Sequence, residues 1–581
     1  MRKYLLAGSL FVLSAPAYAD ANKDVAELVD EVWAFVLKEQ PVYASALGVN
    51  DYGNELGDYT LAALDRRAAQ ASKFLSRLDA IPSGDLDAAS KVEAGILRQS
   101  LYSTIEGNRF GQRAINFTTY SSWHQQIASM PRNLPFKTKA DFESYNARLA
   151  QYARVNDENI AVANVAIKGK FTQPCETLTG FEGTITGLIA PDVRQSRFYG
   201  PYAGKRPDNV SEADFAELAA RAQATIRNVI HPALSKQLAW YTASYEPACA
   251  KAPGVSAQPG GDKYYAFRIR EETTTNLTAE QIHQIGLSEV ARIRAEMADI
   301  ATKAGYPSRE AFIAHLRTDP QYYAKTPEEL MEKVARVTKI IDGKMPSLFG
   351  RLPRLPYGIK EIPAETAEGT TTAYYNPGSP EIGISGTYFV NTSKLDQRPY
   401  WEIPALSVHE AVPGHHHQIA LQQQLPLSDF RKYGVSFTAF TEGWGLYSER
   451  LGIEMGLYDT PAKDMGRLSY EMWRACRLVV DTGIHAKGWS KQQAIAFMTD
   501  NSALSAANIE AEVNRYISWP AQALAYKLGE LKIRELRAMA TKELGPKFDL
   551  AAFHDAVLGQ GSVPLDVLEQ QIKDWVASEK A

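Results

Sequence analysis

The chain has 581 residues, 45% hydrophobic and 22% charged, with a formal net charge of −4. That length is too great for one simple core and implies two or more packed units. The charge balance gives no reason to expect nucleic acid or an anionic membrane as partner, and there is no long basic run, no zinc-ribbon cysteine pattern and no phosphate-binding glycine loop.

Residues 1–19 read as a cleavable export signal. Arg2 and Lys3 form a short positive end, Leu5 to Leu13 an apolar run, and Ala17-Tyr18-Ala19 a small-x-small cleavage site. The run is shorter than the roughly 20 apolar residues a spanning helix needs. No cysteine lies near the cut, so no lipid attachment is expected, and the mature protein is expected to be soluble in a bacterial periplasm.

Residues 20–260 form the next region, and their pattern is mainly helical. Val25, Leu28, Val29, Val32 and Val36 recur at helical spacing, and Asp141–Tyr152 and Ala213–Leu234 behave alike. The region carries no recognisable chemistry and is expected to wall one side of a cleft. In an oxidising compartment two of the three cysteines could pair. Cys175 and Cys249, both in loop-like sequence, are the better couple, whereas Cys476 reads as a buried helical thiol. Ala252 to Gly261, rich in proline and glycine, is the best candidate linker.

Residues 261–581 open with two capped helices, one behind Thr278 and Gln281, the other behind Thr326-Pro327-Glu328-Glu329. Thr370–Tyr375 and Tyr388–Thr392 are rich in β-branched and aromatic residues and read as short strands. Asn391 and the run Tyr374–Gly378 could offer an edge to an extended substrate, or form only a structural hairpin.

Four of the ten histidines fall in His409-Glu410-Ala411-Val412-Pro413-Gly414-His415-His416-His417. His-Glu opens the helix of many zinc peptidases, where histidine binds metal and glutamate handles the proton. The usual second histidine, four residues on, is here Pro413, which lacks an N–H for the carbonyl of His409. The helix must bulge or break, and Gly414 relieves the backbone there. Two residues looped out bring His415 to the second ligand position, in a lengthened H-E-x-x-x-G-H motif. A third ligand is expected on the following helix. Glu442 and Glu449 lie two turns apart on one face, so one of them ligates. Glu442 is chosen, with Gly443 and Gly445 permitting close packing on the metal helix and Glu449 accepting a ligand histidine's other N–H.

Farther on, Arg477, Asp481 and His485 share a helix face, with Asp481–His485 spaced as a hydrogen-bonded pair. Arg515 and Tyr516, ahead of Trp519-Pro520, are candidate partners for a developing oxyanion, with Tyr526 a weaker one. His485 is a further candidate, with a structural salt bridge as the alternative role.

His-Glu-Ala-Val-Pro-Gly-His-His, Thr-Glu-Gly-Trp-Gly-Leu-Tyr, Arg-Leu-Val-Val-Asp-Thr-Gly-Ile-His and Arg-Tyr with the later Pro-Ala-Gln-Ala together resemble the bacterial domain of unknown function 885 family. The resemblance is strongest from Tyr264 to Leu568. It implies a mainly α, zincin-like fold, a neurolysin-like helical cleft with a small β-sheet beside the metal helix. It also implies zinc on His409, His415 and Glu442, with Glu410 as base. The motif is similar to that of dipeptidyl peptidase III but one residue longer, which leaves His415 or His416 as second ligand. The function expected is zinc-dependent hydrolysis of short peptides. A zinc hydrolase of another amide, cell-wall or acyl-amino-acid, and a non-catalytic periplasmic binding protein are the alternatives.

Overall fold

Apolar residues at helical spacing, closed by side-chain caps, account for most of the architecture. A computed structural model describes residues 20–581 apart from 119–120, 368–369 and 381–382. The expected export signal, residues 1–19, lies outside the described residues.

Helix α1 (Ala21–Glu39) starts where the Asp20 carboxylate accepts from Asn22 N–H, and it buries Val25, Leu28, Val29 and Val32. Helices α2 (Leu61–Ala80) and α3 (Ala88–Gly107) pack beside it. Their apolar faces join Val408, Val412 and Trp444 in a single cluster, so the first helices share a core with the histidine motif. The core therefore does not divide at residue 260, although helix α8 (Gly261–Thr273) does begin there. A second cluster is confined to residues 56–249. It holds α4 (Lys139–Ala150), α5 (Tyr152–Gly169), α6 (Glu212–Thr225) and α7 (His231–Trp240). The helical run expected over 141–152 breaks at Gln151, and the one over 213–234 continues from α6 to α7 through a wide turn at Ile226–Ile230. Cys175 and Cys249 form a disulfide, beside the backbone hydrogen bond from Cys175 N–H to the Ala250 carbonyl (2.9 Å). Cys476 is a buried thiol.

Helix α9 (Ala279–Lys303) is opened by the expected capping box of Thr278 and Gln281, and Thr326 caps α10 (Pro327–Asp342). A three-stranded sheet follows: β1 (Tyr357–Glu361), β2 (Ala373–Asn376) and β3 (Gly386–Val390) in order β1-β3-β2. β3 is parallel to β1, with Tyr357 opposite Gly386, and antiparallel to β2, with Ala373 opposite Val390.

Then come α11 (Ile403–Glu410), α12 (His415–Gln424), α13 (Thr438–Leu451), α14 (Pro461–Lys487), α15 (Ala506–Ser518) and α16 (Ala525–Leu544). α14 is buried along its whole length from Met465 to His485 and forms the axis of this half. Among its buried charges, Arg477 pairs with Glu512 at 2.8 Å and Glu471 with the fully buried Lys527 at 2.9 Å. α9 packs along α14, and α13 along α16. The fold is mainly α with a small sheet, as expected. Among the described residues, no helix is long and apolar enough to cross a membrane.

Candidate metal centre

The histidine motif breaks where Pro413 requires. α11 ends at Glu410, and α12 begins at His415. Between them Gly414 N–H reaches back to the Val408 carbonyl (2.8 Å), and His416 N–H to the Ala411 carbonyl (3.0 Å). A Cβ on Gly414 would lie 1.9 Å from the His409 carbonyl oxygen, so only glycine fits this crossing. Trp444 of α13, fully buried, donates its indole N–H to the Pro413 carbonyl (2.7 Å) and locks the connection onto the next helix.

This arrangement brings His409, His415 and Glu442 together, with one ligand atom from each lying within 4.8 Å of the others. Nε2 of His409 and Nε2 of His415 are 3.6 and 3.4 Å from the same Glu442 oxygen, Oε2. That oxygen is buried and has no hydrogen-bond partner, and neither has Nδ1 of His415. His409 is oriented from behind: Glu449 Oε1 lies 2.8 Å from its Nδ1, and Arg474 lies 3.2 Å from the same oxygen. Burial opposes a charge on His409, but Glu442 and Glu449 beside it raise its pKa to about 9. Burial likewise opposes ionisation of Glu442, yet His415 and His409 hold its pKa well below the ordinary carboxylate range. Two imidazoles sharing one buried carboxylate oxygen form a site that favours a cation. The donor set, two nitrogens and one oxygen with a carboxylate behind a histidine, fits zinc with an open position.

The other two histidines face elsewhere. His416 is hydrogen-bonded to Tyr375 OH (2.9 Å) and to the Leu355 carbonyl (3.0 Å), beside the sheet. Burial pushes its pKa down to about 4. His417 packs on Phe349 inside the core. Of the two alternatives for the second position, His415 is the one in the cluster.

Glu410, adjacent to His409, is 8% exposed, and among the described residues no hydrogen bond or ion pair engages its carboxylate. Gly445 faces the His409 ring, where a Cβ would come within 2.7 Å of Cε1. Gly443 instead faces α16: its Cβ would meet the Gly529 backbone at 2.6 Å, and one on Gly529 would meet the Ala439 carbonyl at 1.8 Å. The expectation that both glycines face the metal helix therefore holds for Gly445 alone. The close α13–α16 approach sets Tyr526 flat beside His409, with ring centroids 6.4 Å apart and planes at 16°.

Tyr526, the weaker candidate by sequence, thus stands nearer the cluster than Tyr516. Its hydroxyl accepts from Arg515 (3.1 Å), and Arg477 lies over its ring at 4.3 Å. Tyr516 is buried behind Arg477: its hydroxyl accepts from Arg477 Nε (2.9 Å) and Trp473 Nε1 (3.0 Å). His485 is also placed away from the cluster. Val255 N–H donates to its Nδ1 (3.2 Å), and its Nε2 donates to the Tyr516 carbonyl (2.9 Å), which fixes one neutral tautomer. The expected Asp481–His485 pair does not form, because Asp481 instead accepts from Tyr265 OH (2.5 Å) and Ala521 N–H (3.2 Å). Asn391 is occupied too, with its amide donating to the Ala367, Thr370 and Thr371 carbonyls.

A cavity of about 1230 Å³ opens between the two halves of the chain. Residues 112–197 and 253–268 contribute to one part of its lining, and residues 370–398 and 505–520 to another. The three clustered residues are not in its lining. Arg515 is the link, lining the cavity while its guanidinium holds Tyr526 beside His409.

The fold and cluster together describe a mainly helical protein with a candidate metal centre at a broken helix. The chain belongs to the family described as bacterial protein of unknown function (DUF885), whose pattern matches residues 41–572. It is similar in structure to a protein from Colwellia psychrerythraea provisionally called a lipoprotein, with a TM-score of 0.88 and 28% identity over 96% of this chain and all of that one. A provisionally named lipoprotein of unknown function from Shewanella oneidensis shares the fold, with a TM-score of 0.73 and 19% identity over 96% of this chain and all of that one. No curated protein matches the chain.

Proposed function

We propose that the protein is an exported zinc-dependent peptidase acting on short peptides. The observation that carries this reading is the convergence of His409, His415 and Glu442, with the glutamate Glu410 next to His409 in the chain. His409, His415 and Glu442 would hold the ion. Zinc, when bound, supplies a Lewis acid that polarises a carbonyl and acidifies water.

The chain's own groups divide the remaining work. Glu449, backed by Arg474, engages Nδ1 of His409 and leaves Nε2 facing the cluster. Glu410 takes the proton of the attacking water and later gives it to the leaving nitrogen. Tyr526 accepts from Arg515, so its own O–H is free to donate to charge developing on the scissile carbonyl oxygen. Burial around the cluster excludes bulk water and strengthens each of these interactions. The short positive and apolar segments of residues 1–19, with the Cys175–Cys249 disulfide, support export to an oxidising compartment such as the periplasm.

The test is digestion of a mixed peptide library by zinc-loaded and by chelator-stripped protein, read by mass spectrometry. Cleavage products from the loaded protein alone are expected. Intact peptides after both treatments would remove the proposal.

A further inference from the structure

The large cavity carries a charge bias that the whole chain does not. The chain has a formal net charge of −4, yet the charged residues described in the cavity lining are Arg197, Arg268, Lys394, Arg398, Arg515 and one acid, Glu512. Glu512 is already committed, 2.8 Å from Arg477 and 3.4 Å from Arg515, and this pairing holds its pKa down at about 2 against burial. Arg268 is balanced by Glu271 and Glu272. Arg398 is hydrogen-bonded to the Thr372 hydroxyl (3.2 Å) and the Ser393 carbonyl (3.4 Å), and the carboxylates of Glu402 and Asp396 act on it through space without forming an ion pair with it. Arg197 and Lys394 are exposed, and no described carboxylate pairs with either.

The cations reach the cavity from separate parts of the fold. Arg197 comes from the N-terminal half. Lys394 and Arg398 bracket the short turn that follows β3, and Lys394 itself holds a left-handed backbone (φ 50°) at the start of that turn. Arg515 comes from α15 and also touches Tyr526, beside the metal cluster. A cleft lined by one sign of charge concentrates ligands of the opposite sign. Its volume, about 1230 Å³, slightly exceeds the roughly 300–1,000 Å³ of small-molecule sites and suits a short chain. Planar guanidinium groups match carboxylates, which they bind with two parallel hydrogen bonds.

We infer that this cavity is a subsite for peptides bearing a free carboxylate, recognised by Lys394, Arg398 and Arg197 while Arg515 connects the subsite to the cluster. The inference rests on the peptidase reading for what happens after binding, but not for the binding itself. The carboxylate can be a C-terminus or an Asp or Glu side chain, and the experiment separates these sources.

Metal-loaded Glu410→Gln protein is titrated calorimetrically with acetyl-tetra-alanine, with its C-terminal amide, and with an amidated acetyl peptide carrying one internal aspartate. At low salt the free acid, the aspartyl peptide or both bind about 10-fold more tightly than the uncharged amide. The advantage shrinks at about 0.15 M salt, where charges are screened over roughly 8 Å. The double variant Arg197→Glu with Lys394→Glu abolishes it without changing zinc content. Preference for the free acid assigns the C-terminus, and preference for the aspartyl peptide assigns the side chain. Equal affinity for all three probes, or no binding of any, overturns the inference. Selective binding by a wild-type protein that never cleaves overturns the peptidase reading and leaves this one standing.

Discussion

Gly445→Ala is a one-carbon perturbation aimed at the candidate metal centre. The added Cβ would sit 2.7 Å from His409 Cε1 and 3.0 Å from both ring nitrogens. Carbon atoms in contact rest about 3.5–4.0 Å apart, so the ring has to retreat by roughly 1 Å. It has little room to do so: Glu449 holds Nδ1 at 2.8 Å, the His415 ring stands edge-on with centroids 4.7 Å apart, and Tyr526 lies flat alongside. Metal–ligand distances tolerate only about ±0.2 Å. Disturbing a ligand's support of this kind costs about 10–100-fold in metal affinity, or about 1.4–2.8 kcal/mol. Overpacking costs about 1–3 kcal/mol, while exchanging glycine for alanine inside a helix returns about 1 kcal/mol. The metal-free fold should therefore lose much less than zinc binding does. The assay is zinc competition against a chromophoric chelator, paired with thermal unfolding of the metal-free protein. Wild-type zinc affinity in a folded Gly445→Ala protein would refute the placement of His409 as ligand.

Three further outcomes follow from the structure. Glu449→Gln removes the anion shared by His409 and Arg474 and should weaken zinc by about 10–100-fold in the same competition assay, whereas unchanged affinity would make Glu449 purely structural. Replacing Cys175 and Cys249 with serine opens a loop with a sequence separation of 74, which should cost about 4 kcal/mol in reversible urea unfolding; an unmoved midpoint would contradict this. Burial holds His124 at a pKa of about 3 and His485 and His554 at about 4. These folded values lie below the ordinary value of about 6.5, so in acid the unfolded chain binds protons that the folded chain refuses. The contribution of these three histidines is then full above about pH 6.5 and falls as pH drops toward 4, by about 1.4 kcal/mol per unit for each, while Asp481 and Glu402, pushed up to about 7 by burial, act in the opposite sense over the same range. Urea midpoints measured across that range check it, and the slope should ease in His124→Phe.

Local chemistry made the centre of the site legible in sequence. Pro413 forbids a continuous helix, which forces the break and selects a later histidine, and E-x6-E spacing separates Glu442 from Glu449 by two turns. The helices were legible wherever apolar spacing met a cap, as at Thr278. Contacts between distant segments were not. The turn at Trp519-Pro520-Ala521, with Ala521 at φ 70°, separates Tyr516 from Tyr526 and turns only the latter toward His409. β1 follows a proline-broken run and pairs with a strand about 30 residues on, so its sequence carried little signal. Spacing alone pairs His485 with Asp481, whereas backbone groups of Val255 and Tyr516 claim both its nitrogens. Lys394 and Arg398 are close in sequence, but Arg197 and Arg515 meet them only through the fold.

The central claim is that Glu410 serves as proton acceptor beside a zinc held by His409, His415 and Glu442. Glutamine has nearly the shape of glutamate but cannot take the proton, and general-base catalysis contributes about 10²–10⁴-fold. Zinc content and peptide cleavage should be measured together for wild type and Glu410→Gln. One zinc per chain is expected in both proteins, with cleavage at least about 10²-fold slower in the variant. Full zinc with undiminished cleavage in Glu410→Gln, or no zinc in either protein, would contradict it.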